Sequence, residues 1–243
     1  MMHINTRANR VLSGGQLLPD VLGLELSAIL ERRIVYLELR PGTHLTEQQV
    51  CEEFNISRSP VREAFRQLEA IGLVVRHARR GVRVTPMTIE HLEEIYFCRT
   101  PLEALAASCA ARNADQDDLD FMRDCLEHMK DAMGRGDSKG FFDHNVAFIN
   151  RLNAATGNKM LMNILSIIEK QALRYRYFAH TSSDVMLETS FAGLNTIYEG
   201  LLSRKPGKVK SATSALMKNA QRIISAALRE HGDLSRWDAQ AEA

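Results

Sequence analysis

The stretch PGTHLTEQQVCEEFNISRSPVREAFRQLEAIGLVVRHARRGVRVTP, residues 41–86, decides the fold of the N-terminal third. Thr46 followed by Gln49 has the form of a capping box, in which the threonine oxygen takes a free amide and the glutamine reaches back. A short helix is predicted from about Glu47 to Phe54, with Asn55-Ile56-Ser57 as the turn. The next helix begins at Ser57 or Ser59, with Pro60 in its first turn, where a missing amide costs little. Val61, Ala64, Phe65, Leu68 and Ile71 form its buried stripe, and Gly72 ends it in the left-handed region. Arg58, Arg62 and Arg66 then share the opposite face, one turn apart.

A short helix, a tight turn and a second helix bearing outward guanidinium groups is an architecture that sets side chains against base edges in the major groove. Arginine suits this task because its planar fork bonds guanine O6 and N7 together, worth about 1–3 kcal/mol of discrimination. On an isolated helix the same row fits a solvated face equally well. The residues after Gly72 tip the balance toward DNA. Leu73–His77 and Gly81–Thr85 alternate or run β-branched, and Ala78-Arg79-Arg80 between them has a turn's composition, so the segment reads as a β-hairpin wing with two cations at its tip. Such a tip lies against phosphate or enters the minor groove, adding salt-dependent affinity with little sequence information. Upstream, Leu22, Leu26, Ile29, Leu30 and Ile34 stand at helical spacing in a helix from about Leu17 that Pro41-Gly42 stops.

The charge distribution agrees. The 243 residues carry a net charge of only +1, yet residues 1–86 hold 12 Arg against 9 Asp plus Glu, which marks a local basic surface on a near-neutral chain. At 45% hydrophobic and 25% charged residues the chain is an ordinary globular protein, long enough for two modest domains. No stretch approaches the ~20 apolar residues of a membrane span, and the N-terminus lacks a secretory apolar region, so a cytoplasmic location without membrane contact is expected. Cys51, Cys98, Cys109 and Cys125 form no CxxC pair and read as buried free thiols.

After Pro86 the strand signals vanish. Helices are predicted at about Thr88–Asn113, Asp117–Met133, Asp137–Thr156, Asn158–His180, Ser183–Ser203 and Gly207–His231, with Pro101 expected to kink the first near Phe97. The fold class is mainly α: a winged helix-turn-helix of three helices plus a small β-hairpin, then an all-α six- or seven-helix bundle. The expected division is 1–16 as a flexible lead, 17–86 as the DNA-binding domain, 87–233 as an effector-binding and dimerisation domain, and 234–243 as a tail.

The run 41–86, with its SRxPVREAxxxLxxxGL core, resembles the winged helix-turn-helix of the GntR family of bacterial regulators. The resemblance implies that Gln48, Arg58 and Arg62 contact DNA, with His77 to Arg80 as the wing. Ser57, Ser59, Arg66, His77, Arg79 and Arg80 complete the expected DNA face. Ile95-Tyr-Phe-Cys-Arg99-Thr-Pro-Leu-Glu103, with Phe148, Leu152 and Gly157-Asn158 further on, resembles the FadR-like subfamily, whose effector domain is called FCD.

Many members of that subfamily hold a metal with an Asp, a His four residues on and two later histidines, and the metal binds the carboxylate of an organic acid. Aligned on Phe148 and Gly157-Asn158, this chain has Asn145 and Ile149 at the first two positions. The later two fall on Asn195 and Asn219, or one residue away on Leu194 and Ala220. Amides are poor ligands for transition metals, so no metal and no other cofactor is expected.

The three asparagines are instead candidates for a hydrogen-bonding cage. Arg99, where the subfamily keeps a pocket-facing arginine, is a candidate for a carboxylate or phosphate, although Glu103 four residues on can satisfy it internally. His144, Arg174 and Tyr177 are further effector candidates, and the row from Arg174 through Tyr175 and Arg176 to Tyr177 is open to pocket, interface or solvent. The expected whole is a homodimeric, ligand-responsive regulator, in the first instance a repressor, binding double-stranded DNA at a near-palindromic operator. Two rivals remain: a constitutive DNA-binding protein whose bundle only dimerises, and a DNA-binding head on an enzyme. Against the second stand the missing phosphate loop, nucleophile elbow and HExxH.

Overall fold

A computed structural model of the chain describes residues 19–77 and 81–231. The lead at 1–16 and the tail at 234–243 lie outside them. Within the described residues the chain divides into two compact units, one running up to Ile34 and over Glu38–Thr85, the other comprising Val35–Leu37 and the chain from Pro86 onward.

The first unit holds α1 (Pro19–Val35), β1 (His44–Leu45), α2 (Glu47–Phe54), α3 (Arg58–Ala70), β2 (Val74–His77) and β3 (Gly81–Val84). The capping box at Thr46 and Gln49 is formed in both directions, which starts α2 where the sequence places it. Asn55 then takes φ 50, a left-handed value that asparagine tolerates, and turns the chain into α3. Gly72 at φ 74 closes α3 as expected.

Two features depart from the sequence reading. α1 ends at Val35 rather than at Pro41-Gly42, because Leu37 turns to the left-handed φ of 57 and the Leu39 amide reaches back to the Arg33 carbonyl. The hairpin also gains a third strand: β1 pairs antiparallel with β3, giving the order β1-β3-β2 with Leu45 opposite Val82 and His77 opposite Gly81. Gly81 has φ +90, and a Cβ there would stand 2.2 Å from the Leu45 carbonyl oxygen, so the crossing of these strands admits only glycine.

Leu26, Leu30, Ile34, Val50, Val61, Ala64, Phe65, Leu68, Val82 and Val84 form the core of this unit. Ile29 is exposed and Ile71 only half-buried, so the buried stripes of α1 and α3 are narrower than their apolar spacing implies.

The second unit is built from α4 (Ile89–Asn113), α5 (Gln116–Gly134), α6 (Ser138–Ala154), α7 (Lys159–Ser182), α8 (Asp184–Leu202) and α9 (Pro206–His231). Side-chain oxygens of Thr88, Asp115, Asp137 and Asn158 cap α4 to α7, satisfying amides that the first turn leaves unpaired. α4 runs unbroken through Pro101. The core gathers Tyr96, Met122, Phe141, Phe148, Tyr175, Leu194, Met217 and Ile224 from all six helices. All four cysteines are free, but only Cys125 is buried; Cys98 is exposed because it lies on the outer side of α4, away from the Tyr96 stripe.

Candidate functional site

In the first unit, Gln48 on α2 and Ser57, Arg58, Ser59, Arg62 and Arg66 at the start and outer face of α3 are all exposed. The inward stripe of Val61, Ala64, Phe65 and Leu68 is what turns them outward. Several of these groups have local partners. Arg62 Nε lies 2.9 Å from both Glu47 carboxylate oxygens, Arg66 forks onto Glu63, and Gln48 donates to Glu52 at 2.9 Å. Arg58 forms no ion pair among the described residues. Surface pairs of this sort are worth about 0–1 kcal/mol, so a phosphate or guanine edge can replace the carboxylate. Of the wing, only the backbone of His77 is described, and Arg79 and Arg80 lie outside the described residues. Arg83 was not singled out by sequence; its guanidinium donates to the Gly42 carbonyl at 2.9 Å and ties the base of the wing.

The second unit contains a buried chain of charges. Arg99 on α4 bonds Glu103 through Nε at 2.6 Å and lies 2.8 Å from Glu169 on α7 through Nη2. The Glu169 carboxylate also accepts from Arg176 Nη1, and Arg176 Nη2 in turn donates to Asn145 Oδ1 on α6. Tyr96 accepts from Arg99 at 3.3 Å. Arg99 is 1% exposed, and burial alone would penalise its charge, but Glu103 and Glu169 beside it outweigh that and raise its pKa. Burial pushes the Glu103 carboxyl up, opposed by Arg99. Two guanidinium groups and two carboxylates thus meet in one apolar interior, where each is tolerable only because the others are present.

His180 extends the network. Its Nδ1 lies 2.6 Å from the Arg176 carbonyl, which can only accept, so Nδ1 carries the proton and Nε2 accepts from Ser190 at 3.1 Å. Burial, followed by the positive charge of Arg176, pulls its pKa from 6.5 down to about 3. The folded state therefore keeps this imidazole neutral while the unfolded chain protonates it below 6.5, so stability holds above that pH and falls as pH drops from 6.5 toward 3. Between pH 7 and pH 5 this single group is expected to remove about 2 kcal/mol, read as a falling Tm. A His180→Gln variant should show a shallower fall over the same range; an unchanged slope would place the acid sensitivity elsewhere.

The sequence candidates separate accordingly. Arg99 and Asn145 are brought into one cluster, but both are bonded to the chain itself. Ile149 is buried among apolar side chains. Asn195 is only half-buried and Asn219 exposed, while their neighbours Leu194 and Ala220 point inward. The expected cage of three asparagines therefore does not form, because the helical phase of α8 and α9 turns the apolar neighbour to the core. His144 stacks on His128 of α5 with ring centres 4.7 Å apart, half-buried and outside the cluster. Arg174 is fully buried and donates to the Pro86 carbonyl at 3.3 Å. Tyr177 packs edge-on against Phe142 and Tyr36.

Glu169 and His180 escaped the sequence reading, which left Arg176 open between pocket, interface and solvent; all three line one face of α7. Their spacing of seven and then four residues along α7 is the signal that places them on one face.

These residues do not fit a transition metal. The Asn145 oxygen is occupied by a guanidinium, the other positions in question are apolar where they are buried, and no group of three or more His, Cys, Asp or Glu is placed for a metal among the described residues.

Residues 22–84 match the bacterial regulatory proteins of the gntR family, and residues 94–219 match the FCD domain. The HTH-type transcriptional repressor RspR of Escherichia coli is 26% identical over 86% of this chain and 91% of its own length. The HTH-type transcriptional regulator YdhC of Bacillus subtilis is 34% identical over 56% of this chain and 61% of its own length. The solved structure of E. coli McbR/YncC superposes with a TM-score of 0.75 over 87% of this chain and 99% of that one, at 18% identity, which establishes likeness of fold.

Proposed function

As a member of the gntR family of bacterial regulatory proteins that carries an FCD domain, the chain is a transcription regulator, and we propose that it binds a near-palindromic operator as a homodimer under the control of a small organic acid. The family and these relatives are transcription regulators, not enzymes. The observation that carries the proposal is the outward row of Ser57, Arg58, Ser59, Arg62 and Arg66 on a groove-sized helix, with Gln48 beside it. Repression is the sign of control we favour, since RspR is named a repressor. Action in the cytoplasm goes with DNA as the partner, and no described helix is long and apolar enough to cross a membrane.

The dimer rests on an apolar face. Phe97 (83% exposed) and Leu105 on α4 and Met160 (68% exposed), Ile164 and Ile167 on α7 are exposed apolar side chains, and the two helices meet through Ala106, Leu161 and Leu165. Exposed apolar side chains on two packed helices are ones that a second copy would cover. Selection of duplexes from a random library should return an inverted repeat, and Phe97→Glu should convert the protein to a monomer by sedimentation while weakening operator binding. A single unrepeated half-site, or a wild-type monomer, would overturn the dimer.

The organic acid is supported by the two buried guanidinium groups, which are the strongest carboxylate partners a protein offers. No metal is required in this reading, the cationic side chains supplying what a metal would. A second reading is favoured by one observation: Arg99 and Arg176 are already paired inside the chain, as in a constitutive DNA-binding protein whose bundle only dimerises. A thermal-shift screen of carboxylic acids separates the two, since a true effector at about 100 times its dissociation constant adds roughly 2.7 kcal/mol.

A further inference from the structure

We propose that Arg99 and Arg176 form a buried anion site whose resident is the chain's own Glu169 carboxylate, a placeholder that a small carboxylic acid displaces. This rests on the reading of an organic-acid effector and states where and how such a ligand is held. Three observations carry it. The cation of the site is the Arg176 guanidinium, which donates to the buried Asn145 oxygen on α6 and is held there. The anion is Glu169, contacted by Arg99 on one side and Arg176 on the other, so one carboxylate is clamped between two forks from two helices. Glu169 is also the least enclosed of the four charged groups, with its side chain 11% exposed against 1% for Arg99, 3% for Arg176 and 6% for Glu103.

Its hold on Arg99 is incomplete. Glu169 Oε2 and Arg99 Nη2 stand 2.8 Å apart yet are not aligned as a hydrogen bond, leaving both atoms buried without one. Glu103, by contrast, meets Arg99 through an aligned bond on the same helix and remains as its permanent partner. Rotation of Glu169 outward would expose two guanidinium edges to a ligand while Glu103 and Asn145 keep their places.

The chemistry limits the ligand. A tethered carboxylate has a high effective concentration at its own site, so an external acid must add contacts that a lone carboxylate lacks. The class is a short acid with at least one further hydrogen-bonding group, of a size to follow the path of a glutamate side chain.

Truncating Glu169 to alanine removes CH2–COO−, which is acetate, and acetate is therefore the probe. In the full chain, Glu169→Ala is expected to gain Tm in sodium acetate over sodium chloride at equal ionic strength, by roughly 3–6 °C at ten times the dissociation constant. Wild type should show no acetate-specific gain, because its site is filled, and the Glu169→Ala, Arg176→Ala double variant should show none, because half the clamp is gone. If Glu169→Ala is unfolded in chloride, recovery of its native circular dichroism in acetate reports the same occupancy. Equal behaviour in the two salts, folded or unfolded, overturns the proposal, as does a gain that survives loss of Arg176. Glu169→Gln, which keeps the shape but not the charge, should bind effector hits from the acid screen more tightly than wild type; weaker binding would make Glu169 a ligand contact rather than a placeholder. The operator experiments do not involve this site, so failure here leaves the DNA-binding reading standing.

Discussion

Replacing Arg176 with methionine is expected to destabilise the helical unit by about 3–5 kcal/mol, the cost of leaving a buried charge without its partner. At about 2–4 °C per kcal/mol for a domain of this size, Tm should fall by roughly 6–20 °C. The reason is specific to the network. Arg176 satisfies Glu169 and Asn145 together, and both are buried, so its removal strands a carboxylate and an amide in an interior that cannot hydrate them. Arg99 alone then faces Glu103 and Glu169, leaving a net negative charge in the apolar core.

A double variant, Arg176→Met with Glu169→Met, removes the stranded charge and should recover most of the loss, since well-packed apolar replacements of buried ion pairs are often neutral or stabilising. Denaturant melts of the two single variants and the double variant give the coupling directly. Additive losses would show that Arg176 and Glu169 do not act as a pair. A chelator should leave the wild-type melt unchanged if the guanidinium alone is the cation the fold requires; a drop in Tm would contradict that.

Replacing Arg58 with alanine is the second large effect. Arg58 opens α3 and carries no ion pair among the described residues, so its fork is available to a base edge without first breaking a bond. Loss of a bidentate contact costs about 1–3 kcal/mol, and a homodimer loses it twice, which amounts to roughly a 30-fold or greater drop in affinity for the selected operator. Random duplex should lose much less, because there the side chain contributes only its share of phosphate attraction. Arg62→Ala should cost somewhat less than Arg58→Ala, since Arg62 must leave Glu47 to reach DNA. Equal losses on operator and random DNA, measured by fluorescence anisotropy at fixed salt, would show that Arg58 holds phosphate and does not read bases.

The DNA-binding unit was legible in the sequence because its signals are local. A capping box, a proline in a first turn, a glycine that ends a helix and a β-branched hairpin each act within a few residues, and the outward direction of Arg58, Arg62 and Arg66 follows from helical period alone. β1 was missed because His44 and Leu45 are too short to show a pattern and are defined only by the strand they pair with. In the helical unit, the bounds of the helices were legible to within a residue or two for the same reason: Thr88, Asp137 and Asn158 stand at the predicted starts and cap them, while the second helix, predicted from Asp117, is capped by Asp115.

The site in that unit was not. Asn195 and Asn219 lie one residue from the inward positions, and a 100° step around a helix separates a core side chain from a solvated one. Sequence spacing allowed either; the packing of Leu194 and Ala220 decided it.

The chain's amino acids, taken alone, determined the two-part organisation and the helix-turn-helix with its hairpin, because caps, turns and periodicity are set by neighbours along the backbone. Only the tertiary structure decided that Arg99, Glu169, Arg176 and Asn145 meet. Their helices are distant in sequence, and in an apolar interior the position of each charge is fixed by the partner that neutralises it.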